Sequence, residues 1–426
     1  MGFSERLGNA VLTPWTAARW SPWSLLIGIV AAGGCTGGSW GGVLEAYCLQ
    51  HPEQCDRGTM GGTGGQSPGP APNMRVTEIA AGWYHSCALM ADTTVRCWGQ
   101  NYGGMIGNGT SGNLVLPPAP VNGLSGVLHV AADYTDSCAQ LGDGSLRCWG
   151  SNNYGQLGDG TTIERHEPVL ALDGKKVRQI SLGEYHSCAL RDDATVTCYG
   201  GNYAGQLGDG TMTDRTVATM VPGLSGVKQI AAGDVQTCAL LNDGTASCWG
   251  YNWAGALGDG TTADRSRPGA VLGLSHVRKL AVAANLVCAL LDGGTVSCWG
   301  SNEYGGVGDG TASNRSVPTA VVGLSSVTDL AAGDSHICAV EQGGSVKCWG
   351  DNAHGQLGDG TRTNRSIPVL VAPLTDVVQV SLGTTHSCAL RSDGTLLCWG
   401  DEFAYISDRV PNDPYVDRLR PTIVVF

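Results

Sequence analysis

One interval governs this chain. Cys87, Cys138, Cys188, Cys238, Cys288, Cys338 and Cys388 follow one another in a first step of 51 residues and then steps of 50, and each has a second cysteine ten positions on, at Cys97, Cys148, Cys198, Cys248, Cys298, Cys348 and Cys398. A unit of this length cannot bury its own apolar face alone, so such self-similarity demands a row or ring of equivalent units packed on one another. The single extra residue of the first step is expected near Pro117 and Pro118.

The third copy shows what a unit contains. "VRQISLG" (Val177 to Gly183), "HSCALR" (His186 to Arg191), "TVTCYG" (Thr195 to Gly200) and "RTVATMV" (Arg215 to Val221) are short β-rich runs separated by Gly, Asp and Asn. Four short strands without a helix-period segment describe one blade of a β-propeller, and seven blades can close a ring. The expected fold is therefore all-β, a seven-bladed propeller over residues 75–426.

Within each blade the cysteines flank a hairpin. A three-residue turn of Ser392, Asp393 and Gly394 sets Leu390 opposite Leu396 and Cys388 opposite Cys398, close enough for a disulfide. Alternation puts these four residues on one apolar face, which in a propeller meets a neighbouring blade. The aromatic after the second cysteine (Trp98, Trp149, Tyr199, Trp249, Trp299, Trp349, Trp399) reads as inter-blade packing. His85, His186, His336 and His386 give way to Asp136, Gln236 and Leu286 in the other copies, which does not make a convergent metal or acid–base cluster. Arg165, Arg215, Arg265, Arg315 and Arg365 read as buttresses between strands and loops.

The run "CWGSNNYGQLGDGT" (Cys148 to Thr161), with "GLSGV" (Gly223 to Val227) and "IAAG" (Ile230 to Gly233), resembles the repeat of the regulator of chromosome condensation family. The resemblance extends from Arg75 to Phe426 and implies a seven-bladed propeller. The cysteine pairs depart from the family's intracellular members. The last copy departs too: after Gly400 its loop becomes "DEFAYISDRVPNDPYVD", while Arg418 and Pro421 restore the spacing of Arg365 and Pro368. The terminal "PTIVVF" is expected to help close the ring against the first repeat.

Fourteen of the seventeen cysteines are spaced C-x9-C, which does not match zinc-ligand spacings, so disulfides in an oxidising, extracytoplasmic setting are expected, on a secreted or surface-anchored protein. Residues 1–35 carry the apolar run "SLLIGIVAA" followed by Gly33, Gly34 and Cys35, similar to the lipobox in which the cysteine is acylated. A plain signal peptide stands as the other reading. Residues 36–74 form a Gly/Pro-rich tether holding Cys48 and Cys55, which can pair locally and leave Cys35 as the odd cysteine. The formal charge of −12, without a basic cluster, gives nothing from which to build a phosphate-tracking groove, so no nucleic-acid partner is expected.

Function is sought where the copies differ. One ring per blade follows the W-G-x-N segment: Tyr102, Tyr154, Tyr203, Trp253, Tyr304, His354 and Phe403. These either converge on one face as protein-binding anchors or pack beneath their own loops. A second variable set comprises Trp83-Tyr84, Tyr134-Thr135, Glu184-Tyr185, Asp234-Val235, Asn285, Asp334-Ser335 and Thr384-Thr385, whose acidic members suit a basic or polar partner. No catalytic residue, metal or cofactor is assigned. The reading is a monomeric, non-enzymatic binding propeller, reaching the membrane only through an N-terminal anchor and recognising a protein or surface polymer. The alternatives are guanine-nucleotide exchange on a small GTPase, as the family's founding member performs, or glycan hydrolysis on a propeller.

Overall fold

The computed structural model describes residues 74–371, 374–401 and 418–426. Cys35, Cys48, Cys55 and Phe403, with the expectations for residues 1–73, lie outside the described residues. Seven four-stranded antiparallel sheets follow one another along the chain, each a simple meander. Blade 1 comprises Val76–Ala81, His85–Met90, Val95–Gly99 and Val115–Pro120, and blades 2 to 7 begin at Val127, Gln179, Val227, Val277, Val327 and Val377. The fold is the seven-bladed β-propeller read from the repeats.

The hairpin register is the expected one. Leu390 faces Leu396 and Cys388 faces Cys398, and the same pairing recurs in every blade. All seven C-x9-C pairs are disulfides, with Cα atoms 4.1 Å apart in each. The glycine after the aromatic is obligatory for a local reason. At Gly200, φ is +105° and a Cβ would sit 2.4 Å from the Tyr185 carbonyl, where the register to the outer strand shifts.

Blades are joined by three devices. First, the disulfide face of one blade packs on the aromatic of the next: Cys238, Leu240 and Cys248 meet Leu280, Val287 and Trp299 in one buried cluster. The six tryptophans in this role are fully buried, and truncating one to Ala is expected to cost about 3–5 kcal/mol. Second, histidines tie blades 1, 3, 6 and 7 each to the following one: Nε2 lies 2.8–2.9 Å from a Ser or Thr hydroxyl in the pairs His85–Ser137, His186–Thr237, His336–Ser387 and His386–Ser86. Burial lowers all four imidazoles to about 3, so they are neutral. Third, side chains on the first strands stitch neighbouring blades around the axis. Gln179 donates to the Ile230 carbonyl and accepts its N–H, Gln229 does the same with Leu280 and Gln379 with Ile79, while Lys279 pairs with Asp329.

The ring closes as expected in outcome, though not by a shared sheet. Arg418–Ile423 is the outer strand of blade 7, with Arg418 opposite Gly400 as Arg365 is opposite Gly350. Val424 then joins Val76, Ile79, Trp98 and Cys388 in a cluster spanning blades 7 and 1, and the Phe426 ring meets Trp98 edge-on at 5.7 Å. One expectation is corrected. Gly99 pairs with Val115 where Gly150 pairs with Arg165, so the extra residue of the first repeat sits before Val115, not at Pro117 and Pro118. A loop absorbs an insertion that a paired strand would convert into a register slip.

Candidate partner-binding site

The "GDGT…R" segment folds each loop between the third and outer strands. In blade 3, Asp209 Oδ1 accepts from the Thr211 N–H and hydroxyl, its other oxygen pairs with Arg215 at 3.0 Å, and Asn202 Nδ2 donates to the carbonyls of Thr211 and Thr213. The arginines are thus loop buttresses. The same Asn accepts the N–H of Leu207, and Leu207, like Leu157, Leu257, Val307 and Leu357, is fully buried.

That removes one of the two readings of the aromatic set, packing of each ring beneath its own loop. The slot beneath each loop belongs to the aliphatic residue, and Tyr102, Tyr154, Tyr203, Trp253 and Tyr304 are left 40–57% exposed. His354 differs, being half-buried. In a four-stranded meander these loops emerge at the same end as the turns between first and second strands, so the two variable sets share one face.

The second set occupies the centre of that face. A cavity of about 460 Å³ runs along the axis, walled by the first strands of the blades. Trp83, Asp133, Tyr134, Glu184, Asp234, Asp334 and Thr384 line its mouth. Trp83 stacks on Tyr134 at 3.7 Å and on Tyr84 at 4.7 Å. Tyr134 reaches Tyr185 at 6.2 Å, and Tyr185 in turn touches Tyr154 at 5.0 Å and Tyr203 at 6.2 Å. A continuous aromatic patch therefore crosses blades 1 to 3. Of the first set, this network brings Tyr154 and Tyr203 together through Tyr185; Tyr102, Trp253, Tyr304 and His354 are not part of it, and Phe403 lies outside the described residues.

The mouth is electrostatically frustrated. Burial raises the Asp133 carboxyl to about 7, with Glu184 and Asp334 adding to the rise. Burial, then Asp334, Asp133 and Glu184, push Asp234 well above the carboxylate range, and Asp334 is raised by burial and by Glu184. Burial and the nearby Glu184 carboxylate hold the phenols of Tyr134 and Tyr185 protonated far above their ordinary range.

Sequence reasoning missed Asp133. Its signal was available: the other copies carry Gly82, Gly183, Gly233, Ala283, Gly333 and Gly383 at that position, small because the next blade's backbone approaches closely, 2.2 Å from a Cβ built on Gly183. The seam between blades 2 and 3 is irregular in a second way. Asp136 replaces the tying histidine and is fully buried with neither carboxyl oxygen hydrogen-bonded, and Tyr199 stands where the other copies have Trp. Burial, then Asp133, holds the Asp136 carboxyl well above its usual range. Three departures from the repeat, Asp133, Asp136 and Tyr199, thus lie in the sector of blades 2 and 3, and local departures of this kind are expected at functional sites.

The family description "Regulator of chromosome condensation (RCC1) repeat" matches residues 143–190, 293–340 and 343–390 through one family model, and 76–104, 177–206, 227–252 and 327–356 through a second. Among curated relatives, the human protein described as probable E3 ubiquitin-protein ligase HERC4 is 35% identical over 118 residues, which is 27% of this chain and 11% of that protein. Human E3 ubiquitin-protein ligase HERC2 is 36% identical over 115 residues, 26% of this chain and 2% of that protein. The alignments span about a tenth or less of these relatives' length. Among solved structures, human WBSCR16 superposes with a TM-score of 0.68 at 25% identity, covering 75% of this chain and 88% of that one. Yeast RCC1 (Prp20), solved bound to Kap60, superposes at 0.67 and 19% identity, covering 87% and 91%. With segments in all seven blades matched by the two models, which together cover half of the chain, and the repeat's loop chemistry in place, the chain belongs to the regulator of chromosome condensation (RCC1) repeat family.

Proposed function

We propose that this chain is a non-enzymatic binding propeller that works outside the cytoplasm and grips a partner protein or surface polymer with the aromatic face of blades 1 to 4. The observation that carries this is the exposure of Tyr154, Tyr203 and Trp253 around a stacked aromatic centre, on a scaffold whose seam aromatics, such as Trp149, Tyr199 and Trp249, are fully buried. Aromatic rings with few rotatable bonds are typical binding anchors, and left in water they have no stabilising role. The seven disulfides, which a reducing cytosol would not maintain, support that compartment. They also weigh against exchange on a cytosolic GTPase. Acylation of Cys35 would supply the anchor.

The test is proximity crosslinking of the full chain on the producing cell, with identification of the captured partner by mass spectrometry. Tyr185→Ala with Tyr203→Ala is expected to abolish capture while leaving the melting temperature unchanged. Capture that survives this double change, or a partner bound only by the opposite face, would overturn the reading.

A further inference from the structure

We infer that the partner inserts a cationic side chain, best an arginine, into the mouth of the axial cavity, where Asp133, Glu184, Asp234 and Asp334 converge beside the Trp83–Tyr134 stack. The inference rests on the reading of this face as the binding surface and specifies the chemistry of the occupant.

Charge complementarity carries the argument. The four carboxyl groups come from blades 2, 3, 4 and 6, yet they line one cavity and each of three is raised by others of the set. Among the described residues lining that cavity there is no Lys or Arg to neutralise them. Elsewhere in the fold buried or half-buried acids are paired: Asp159, Asp209, Asp259, Asp309 and Asp359 each hold an arginine, and Asp329 holds Lys279. Asp136 apart, the chain thus supplies a cation to these loop and strand acids and none to the group at the mouth. An arriving guanidinium would relieve the mutual repulsion and could lie flat along the aromatic wall while donating to two carboxylates. Glu184, itself buried, stands among this set beside Tyr134 on the cavity wall. The surrounding exposed rings then exclude water from the ion pair, which is where such a pair contributes most.

The probe is a phage-displayed library of random peptides, panned at low ionic strength on the full-length protein. Enriched peptides are expected to carry Arg or Lys. Replacing that residue by citrulline in a labelled synthetic copy should weaken binding by more than about tenfold, and D133N/D234N/D334N should do the same without lowering the melting temperature. Neutral or acidic consensus peptides, absence of enrichment, or binding indifferent to citrulline would each overturn the inference. If Tyr185→Ala/Tyr203→Ala abolishes binding but the triple Asn variant does not, the cation is wrong and the aromatic face stands. Indifference to both sets removes both readings.

Discussion

Asp136→His should stabilise the protein, which is unusual for a substitution at a fully buried position. Four other seams carry His here, each 2.8–2.9 Å from the hydroxyl of the next blade. The matching hydroxyl at this seam, Ser187, is already in place and donates to the Gln156 carbonyl at 2.8 Å, as Ser387 does to Gln356. A hydroxyl that donates once can still accept, so an imidazole N–H has a ready partner. Removing a buried carboxyl without hydrogen bonds recovers about 1–3 kcal/mol, and the new hydrogen bond adds about 1, giving about 2–4 kcal/mol near neutral pH. The pH dependence follows from the direction of each shift. Wild-type Asp136 has a raised folded pKa, so its folded state holds the extra proton and stability falls as pH rises above the ordinary carboxylate range. A buried His with a folded pKa near 3, like His186, does the reverse: stability falls as pH drops below the imidazole's unfolded value, about 6.5. The advantage of the variant should therefore shrink steadily on acidification and be lost by about pH 4–5. Guanidinium unfolding followed by tryptophan fluorescence, with the disulfides intact, gives the midpoints; D136N, which removes the charge without reaching Ser187, should fall between the two. A variant less stable than wild type at neutral pH, or a gain that persists unchanged in acid, refutes the reasoning.

Other expectations are simpler to state. Replacing Cys238 and Cys248 together by Ala should cost about 3 kcal/mol on the loop-entropy model for a separation of 10, somewhat more if the vacated volume fails to collapse, read from the denaturant midpoint. The equal separations predict equal losses in every blade, so a loss near zero would show that the hairpins hold themselves. Ala194 has φ +61° at the turn position occupied by Gly144 in blade 2, and Ala194→Gly should raise stability by up to about 1 kcal/mol in a thermal melt. Asp133, raised to about 7, weakens the fold as pH climbs from the ordinary carboxylate range through 7; D133N should remove that slope. Radiolabelled palmitate should enter the protein in a bacterial host and be absent from Cys35→Ser; label that persists in the variant would exclude that cysteine.

The sequence by itself settled what repeats. A period of fifty with paired cysteines, alternating strand residues and Asp-Gly turns specifies blade, register and disulfides, because all of these depend on spacing within one unit. The Cys388–Cys398 hairpin was legible to the residue for that reason, and Trp249 and Trp399 were legible as packing because a side chain needed at every seam must recur. Tertiary structure decided what depends on where the units meet. Whether Tyr154 and Tyr203 pack under their loops turned on the competition for one slot, which Leu157 and Leu207 occupy. That Asp133, Glu184, Asp234 and Asp334, up to about two hundred residues apart, face one another across a cavity follows only from closure of the ring. Electrostatic energy depends on distance in space, and in a propeller equivalent positions of distant blades meet at the axis however far apart they lie along the chain.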